Sequence, residues 1–186
     1  MILPVYAYGT PHLRNISEDI GPDYENLNEL IENMFETMSS SDGVGLAAPQ
    51  IGLSIRLFVV DANIYADEEP GLEGFRKVFI NADIYHYEGE EEFMTEGCLS
   101  IPGIHEDVLR PTTIRIRYMD ENFQEHDEEY SGMAARIIQH EYDHLDGILF
   151  TDKLSPLKKR LLKGKLRDIT RGKTSAKYKM VFPVKK

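Results

Sequence analysis

Apolar residues recur at helical spacing near the start of the chain. Leu27, Leu30, Ile31, Met34, Phe35 and Met38 share one face between Asp23 and about Ser40, with Pro22 suited to the helix start. Ile55 to Val60 and Lys77 to Tyr87 read as strands, and Thr113 to Tyr118 alternates in the strand manner. A second helical pattern runs from about Met133 to Asp146 and meets Gly147, a residue suited to a C-terminal cap. Ser155-Pro156 opens a third, carrying Leu157, Leu161, Leu162 and Ile169. Asp67 to Glu73 reads as a surface loop and Glu88 to Glu92 as an acidic turn. These elements predict an α+β domain: short, mostly antiparallel strands around a central helix at 133–146, with an N-terminal amphipathic helix and a C-terminal helix.

At 186 residues and 41% hydrophobic content, one core is expected. We place the domain at 1–171 and a basic tail at 172–186, within which Lys177 to Pro183 suits an edge strand without a pattern that places it. Charge divides sharply along the chain. Residues 1–150 hold 8 basic and 30 acidic side chains; residues 151–186 hold 13 basic and 2 acidic. A basic end on an acidic body fits a tether to a polyanion, and it equally fits a solvated helix face with a Lys-rich tail. The single cysteine excludes an intramolecular disulfide framework and suits a reducing compartment. Met1 to Ala7 lacks a basic leader and is interrupted by Pro4, so neither a signal peptide nor a membrane span is expected there. We expect a cytoplasmic protein.

Chemistry enters with Gln139-His-Glu-Tyr-Asp-His144 on the second helical pattern. Positions i and i+4 lie one turn apart on one helix face, so His140 and His144 are spaced to hold one metal ion. Glu141 then falls beside the open coordination position, where a carboxylate can take a proton from water. A plain polar helix face has the same spacing, so a third ligand decides. A metzincin-type site needs a histidine at position 150, where this chain has Phe150. No glutamate follows Glu141; Asp152 or Asp168 would serve an aspartate-liganded metalloprotease. Upstream, Cys98 lies in Glu96-Gly-Cys-Leu-Ser-Ile-Pro102, between Gly97 and Pro102 on a constrained bend. A lone cysteine is often a small buried hydrophobe. As a thiolate with two imidazoles it completes a tetrahedral site with one open position.

A third segment, Gly43-Val-Gly-Leu-Ala-Ala-Pro-Gln-Ile-Gly52, holds three glycines and a proline in ten residues, as backbone does when it must approach something closely. It lacks the Lys-Ser or Lys-Thr of a phosphate loop. Gln50 is its odd polar side chain, and a carboxamide N–H aimed into a metal cleft would stabilise an oxyanion.

Together these segments resemble the peptide deformylases. That family carries Gly-x-Gly-x-Ala-Ala-Pro-Gln, Glu-Gly-Cys-Leu-Ser and Gln-His-Glu-x-Asp-His in this order, and all three stand intact here. Tyr8-Gly-Thr-Pro-His-Leu-Arg14 is also similar to the family's opening, and the likeness runs from about Val5 to about Leu157. The resemblance implies hydrolysis of the formyl group from N-formylmethionyl nascent peptides, releasing formate. It implies Cys98, His140 and His144 as metal ligands, Glu141 as general acid/base, and Gln50 with the backbone N–H of Leu99 as oxyanion donors. It implies iron(II), while zinc, nickel and cobalt suit the same ligands. It places a methionine pocket near Val44, Met133 and Ile137, with Met94 less securely placed, each of which also fits plain core. Backbone near Gly45 and Gly97 would pair with the extended substrate. The chain departs from some bacterial relatives at His105, where they have arginine.

Some relatives dock on the ribosome through a C-terminal helix, so Lys153 to Lys186 is a candidate ribosome contact, with no membrane partner and no sequence-specific nucleic acid expected. Two other readings stay open here: the aspartate-liganded metalloprotease, and a catalytically silent, ribosome-binding relative.

Overall fold

The run Leu57-Phe-Val-Val60 has no polar interruption because both of its faces are covered. The computed structural model describes residues 1–183; Val184 to Lys186, the end of the basic tail, lie outside the described residues. Strands β1 (Val5–Tyr6), β2 (Gly45–Ala47), β3 (Leu57–Asp61), β4 (Arg76–Cys98), β5 (Ile101–Met119), β6 (Glu125–Ser131) and β7 (Met180–Val181) accompany helices α1 (Leu27–Ser40), α2 (Gly132–Leu145) and α3 (Pro156–Thr170). β2 to β6 form one antiparallel sheet in chain order, and β1 pairs with β7 in parallel. The α+β expectation holds.

Strand alternation sorts the core into layers. Phe58 and Val60 of β3 join Phe79, Ile84, Ile114 and Ile116 beneath α2, whereas Leu57 and Val59 join Val78 and Ile80 beneath α1. The rings of Phe58 and Phe79 stack at 4.7 Å, worth about 1 kcal/mol beyond the area they bury. A third cluster seats Leu162, Leu166 and Ile169 of α3 on Ile101, Ile104 and Val108 of β5.

Several boundaries differ from the sequence-based expectation. α1 starts at Leu27 rather than near Asp23, because Asn26 adopts a left-handed conformation (φ 57°) that no α-helix can contain. Glu88 to Glu92 is not a turn: β4 and β5 run on through it, with Glu92 opposite Arg110 and a register shift between Glu88 and Glu91. Gly89 (φ 82°) accommodates the irregularity, and exposed acids pair as strand because ladder hydrogen bonds need no apolar face. These two strands are therefore long, at 23 and 19 residues. On α3, Leu157 and Leu161 point outward, and Leu166 completes the buried stripe instead. Lys177 to Pro183 does supply a strand, β7, held by Val5 N–H to Lys179 O at 2.9 Å and Ala7 N–H to Val181 O at 2.8 Å.

Both ends of α2 are fixed. Glu69, from the loop at 67–73, accepts the Met133 N–H at 3.1 Å at the positive end of the helix dipole. At the other end Gly147 (φ 71°) forms a Schellman closure, with its N–H on His144 O and the Ile148 N–H on Asp143 O. The helix is thus held rigidly across the sheet, which is what its side chains require.

Candidate metal centre

α2 is not a polar face turned to solvent. Arg136, Gln139, His140, Glu141, Asp143 and His144 are all buried on it, and buried polar groups need partners. His140 and His144, one turn apart, meet Cys98 from the last position of β4, and the three ligand atoms lie within 4.8 Å of one another. A register shift between Glu96 and Cys98 ends the pairing regularity just before the two-residue turn Leu99–Ser100, and such irregularities re-aim side chains beside active sites. Cys98 Sγ stands 3.4 Å from His144 Nε2.

The ring orientation of His140 is set from behind. Its Nδ1 bonds Glu96 Oε1 at 2.8 Å, which leaves Nε2 for the cleft. Glu96 in turn receives a bidentate pair from Arg110 (2.6 and 2.9 Å) and a further bond from Arg136 (2.9 Å), while Arg110 also reaches Asp143 at 2.8 Å. Burial opposes the charge on Glu96, yet Arg110 and His140 outweigh it and hold the carboxyl well below the usual range. Burial also opposes a charge on His140, but its bonds to Cys98 and Glu96 lift it well above its ordinary value. Burial and that neighbouring charge drive His144 the other way, to the neutral form. Glu141 carries no such ion pair, and burial pushes it up to about 7.

The glycine-rich segment approaches this helix. A β-carbon on Gly45 would run into the Glu141 carboxylate, so only glycine fits there. After β2 the chain makes a short 3₁₀ turn, Ala48–Ile51, that turns Gln50 inward, 1% exposed. Its Oε1 accepts the Ala47 N–H at 2.9 Å, which aims Nε2 at Cys98 Sγ (3.4 Å) and Ser100 Oγ (3.3 Å). Val44, Gly45, Gly97, Leu99, Met133 and Ile137 all line one cavity of about 520 Å³ with Gln50, Cys98, His140 and Glu141, a size suited to a small ligand or peptide end. Met94 is not among its lining residues, whereas His105 is.

Asp152 is committed elsewhere, bound to Arg14 at 2.6 Å, and neither it nor Asp168 joins the ligand group among the described residues. That removes the geometric basis for an aspartate-liganded protease. Sequence reasoning missed Arg110, Arg136 and Asp143, which hold Glu96 and its neighbours in place. The signal for Arg110 was present: it shares the even-numbered buried phase of Val108, Ile114, Ile116 and Tyr118 on β5. It also missed Ser175, Ala176 and Tyr178 as part of the cavity wall, because nothing local links a tail to a cleft.

The metal fits these residues. The donor set is one thiol and two imidazoles, and the buried Glu141 Oε2 has no hydrogen-bond partner among the described residues. A cation beside Glu141 would give that carboxylate the opposite charge it lacks.

Comparison with known proteins agrees with this geometry. The family model described as polypeptide deformylase matches residues 2–160. A peptide deformylase of Christiangramia forsetii is 55% identical over 98% of this chain and 97% of its own length. One from Flavobacterium johnsoniae is 53% identical over 100% of this chain and 98% of its own. Among solved structures, a peptide deformylase from Plasmodium falciparum superposes with a TM-score of 0.81 at 36% identity, over 90% of this chain and 95% of that one. The peptide deformylase of Thermotoga maritima gives 0.76 at 38% identity, over 84% and 99%.

Proposed function

The chain belongs to the polypeptide deformylase family, and from that premise we propose how its own residues remove the N-formyl group from nascent peptides. The observation that carries the reading is the meeting of Cys98, His140 and His144 beside a cavity lined by Cys98, His140, Glu141 and Gln50. Cys98, His140 and His144 would hold one divalent ion, iron(II) on the family's pattern, with zinc, nickel and cobalt accepted by the same donors. When bound, that ion supplies a Lewis acid that polarises the formyl oxygen and acidifies water.

Glu141 takes the proton from the water that attacks the formyl carbon and returns it to the departing amine nitrogen. Burial raises its carboxyl and a cation bound beside it would lower it again, opposing effects that suit it to both directions. Gln50 Nε2, with its carboxamide fixed by Ala47, and the Leu99 backbone N–H donate to the developing oxyanion. Losing one such donor costs about 3 kcal/mol in the barrier. Val44, Met133 and Ile137 form the methionine pocket, and the backbone at Gly45 and Gly97 aligns the substrate as an added strand.

Residues 1–171 form the catalytic domain, and Ser175, Ala176 and Tyr178 of the tail line one side of its cleft. Among the described residues no helix is long and apolar enough to cross a membrane, and a reaction on nascent chains belongs in the cytoplasm. The exposed cations Lys159, Arg160, Lys163, Lys165 and Arg167 of α3 suit a ribosome contact.

The test is formate release from formyl-Met-Ala-Ser by protein purified without oxygen, beside Glu141→Ala. Release by the parent alone is expected. No release from folded, iron-loaded parent protein would sink the reading and favour a silent ribosome-binding relative.

A further inference from the structure

The turn Leu99–Ser100 joins β4 to β5 next to Cys98, and its two carbonyls are held by opposite ends of the chain. Tyr8 N–H donates to Ser100 O at 2.8 Å, and the Tyr178 hydroxyl donates to Leu99 O at 2.7 Å. In a two-residue turn the central peptide, here Leu99 C=O with Ser100 N–H, is the soft element. The Leu99 N–H belongs to the preceding peptide and meets this one at the Leu99 α-carbon, so a hold on the Leu99 carbonyl restrains the turn that carries that N–H. The strand pairing of Cys98 with Ile101 fixes the flanks of this turn but not that plane.

Tyr178 is well placed to fix it. The β1–β7 pair anchors the segment two residues away, and Ser175, Ala176 and Tyr178 line the same cavity as Leu99 and Glu141. The hydroxyl is half-buried, and burial pushes it up to about 12, so it remains a donor throughout the neutral range. Nothing in the fold demands this bond for packing: β7 is held by its own ladder, and Leu99 also packs near Gly43.

We propose that Tyr178 is a positioning residue for the hydrolysis, its hydroxyl holding the Leu99 carbonyl and thereby the turn that presents the Leu99 N–H to the oxyanion. The catalytic half of this inference rests on the deformylase reading; the positioning half does not.

Tyr178→Phe removes the donor and keeps the ring. On the full chain, we expect kcat per bound metal to fall about tenfold, with KM within about twofold and metal content unchanged, as for loss of one orienting hydrogen bond. In the zinc-loaded protein, amide order parameters at Leu99 and Ser100 should fall from the rigid range near ~0.85 while those of neighbouring β4 and β5 residues hold. A purely structural tyrosine would instead lower the melting temperature and metal content, leaving kcat per bound metal intact. Unchanged kcat per bound metal, or unchanged order at Leu99 and Ser100, overturns the proposal. Lost order with no formate from either protein would keep the positioning and sink the deformylase reading.

Discussion

Gly45 lies against Glu141 so closely that a β-carbon at position 45 would collide with the carboxylate. One residue from the glycine-rich segment thus defines where the acid on α2 stands, although 96 positions separate them in sequence. Gly45 is buried and paired with Val60, so the strand ladder resists a retreat of the backbone there.

Gly45→Ala should therefore displace the Glu141 carboxylate and lower kcat about 100-fold, as misplacement of a reacting group by an ångström does. Steady-state formate release measures it, with circular dichroism to confirm folding. Activity near that of the parent would mean that the carboxylate has room to move and is not defined by this contact.

Ligand identity separates two chemistries. Cys98→Ala should abolish stoichiometric metal, whereas Asp152→Asn should retain it, because Asp152 is bound to Arg14 at the surface. Elemental analysis of the purified variants decides. Metal lost from the aspartate variant and kept by the cysteine variant would restore the protease reading.

Glu96 predicts a pH dependence. Its folded-state pKa is depressed below 4.5, since Arg110 and His140 outweigh the cost of burial. Its contribution to stability is therefore fully present above about pH 4.5 and is lost as pH falls through the depressed folded value. Glu96→Gln should lower stability at pH 7 by about 3 kcal/mol, since buried Arg110 then keeps only Asp143 and buried Arg136 loses its carboxylate. The variant should also lose less than the parent on acidification. Urea unfolding between pH 7 and 3 tests both, and parallel curves for the two proteins would refute the assignment.

For the ribosome contact, deletion of the tail would also remove β7 and Tyr178, so point substitutions are cleaner. Replacing exposed Lys159, Lys163 and Arg167 together by Ala should weaken salt-sensitive co-sedimentation with ribosomes, while formate release from the short peptide is unchanged. Three fewer phosphate neutralisations should flatten the salt dependence by about 2–3 units of log–log slope. Co-sedimentation equal to the parent at every salt concentration would remove α3 from the contact.

Much of the metal site follows from local geometry. His140, Glu141 and His144 share a face because an α-helix has 3.6 residues per turn, and that holds wherever the helix is placed. The stripe on α1 and the alternation in β5 are readable for the same reason: burial imprints a short period on the chain. The glycines at 43, 45 and 52 announced a close approach without saying to what.

Tertiary structure decided what they approach. The pairing of β4 with β5 brings Cys98 under α2 and sets Arg110 against Glu96, across separations no periodicity encodes. It keeps Glu88 to Glu92 extended, since paired backbone overrides weak strand propensity. The parallel β1–β7 pair draws the tail to the cleft and puts Tyr178 on Leu99. Spacing along one helix is a property of a few consecutive residues, so the sequence alone determined that His140 and His144 can share a metal. Which carboxylate, arginine or tyrosine stands behind them depends on contacts between distant segments, and only the folded chain makes those.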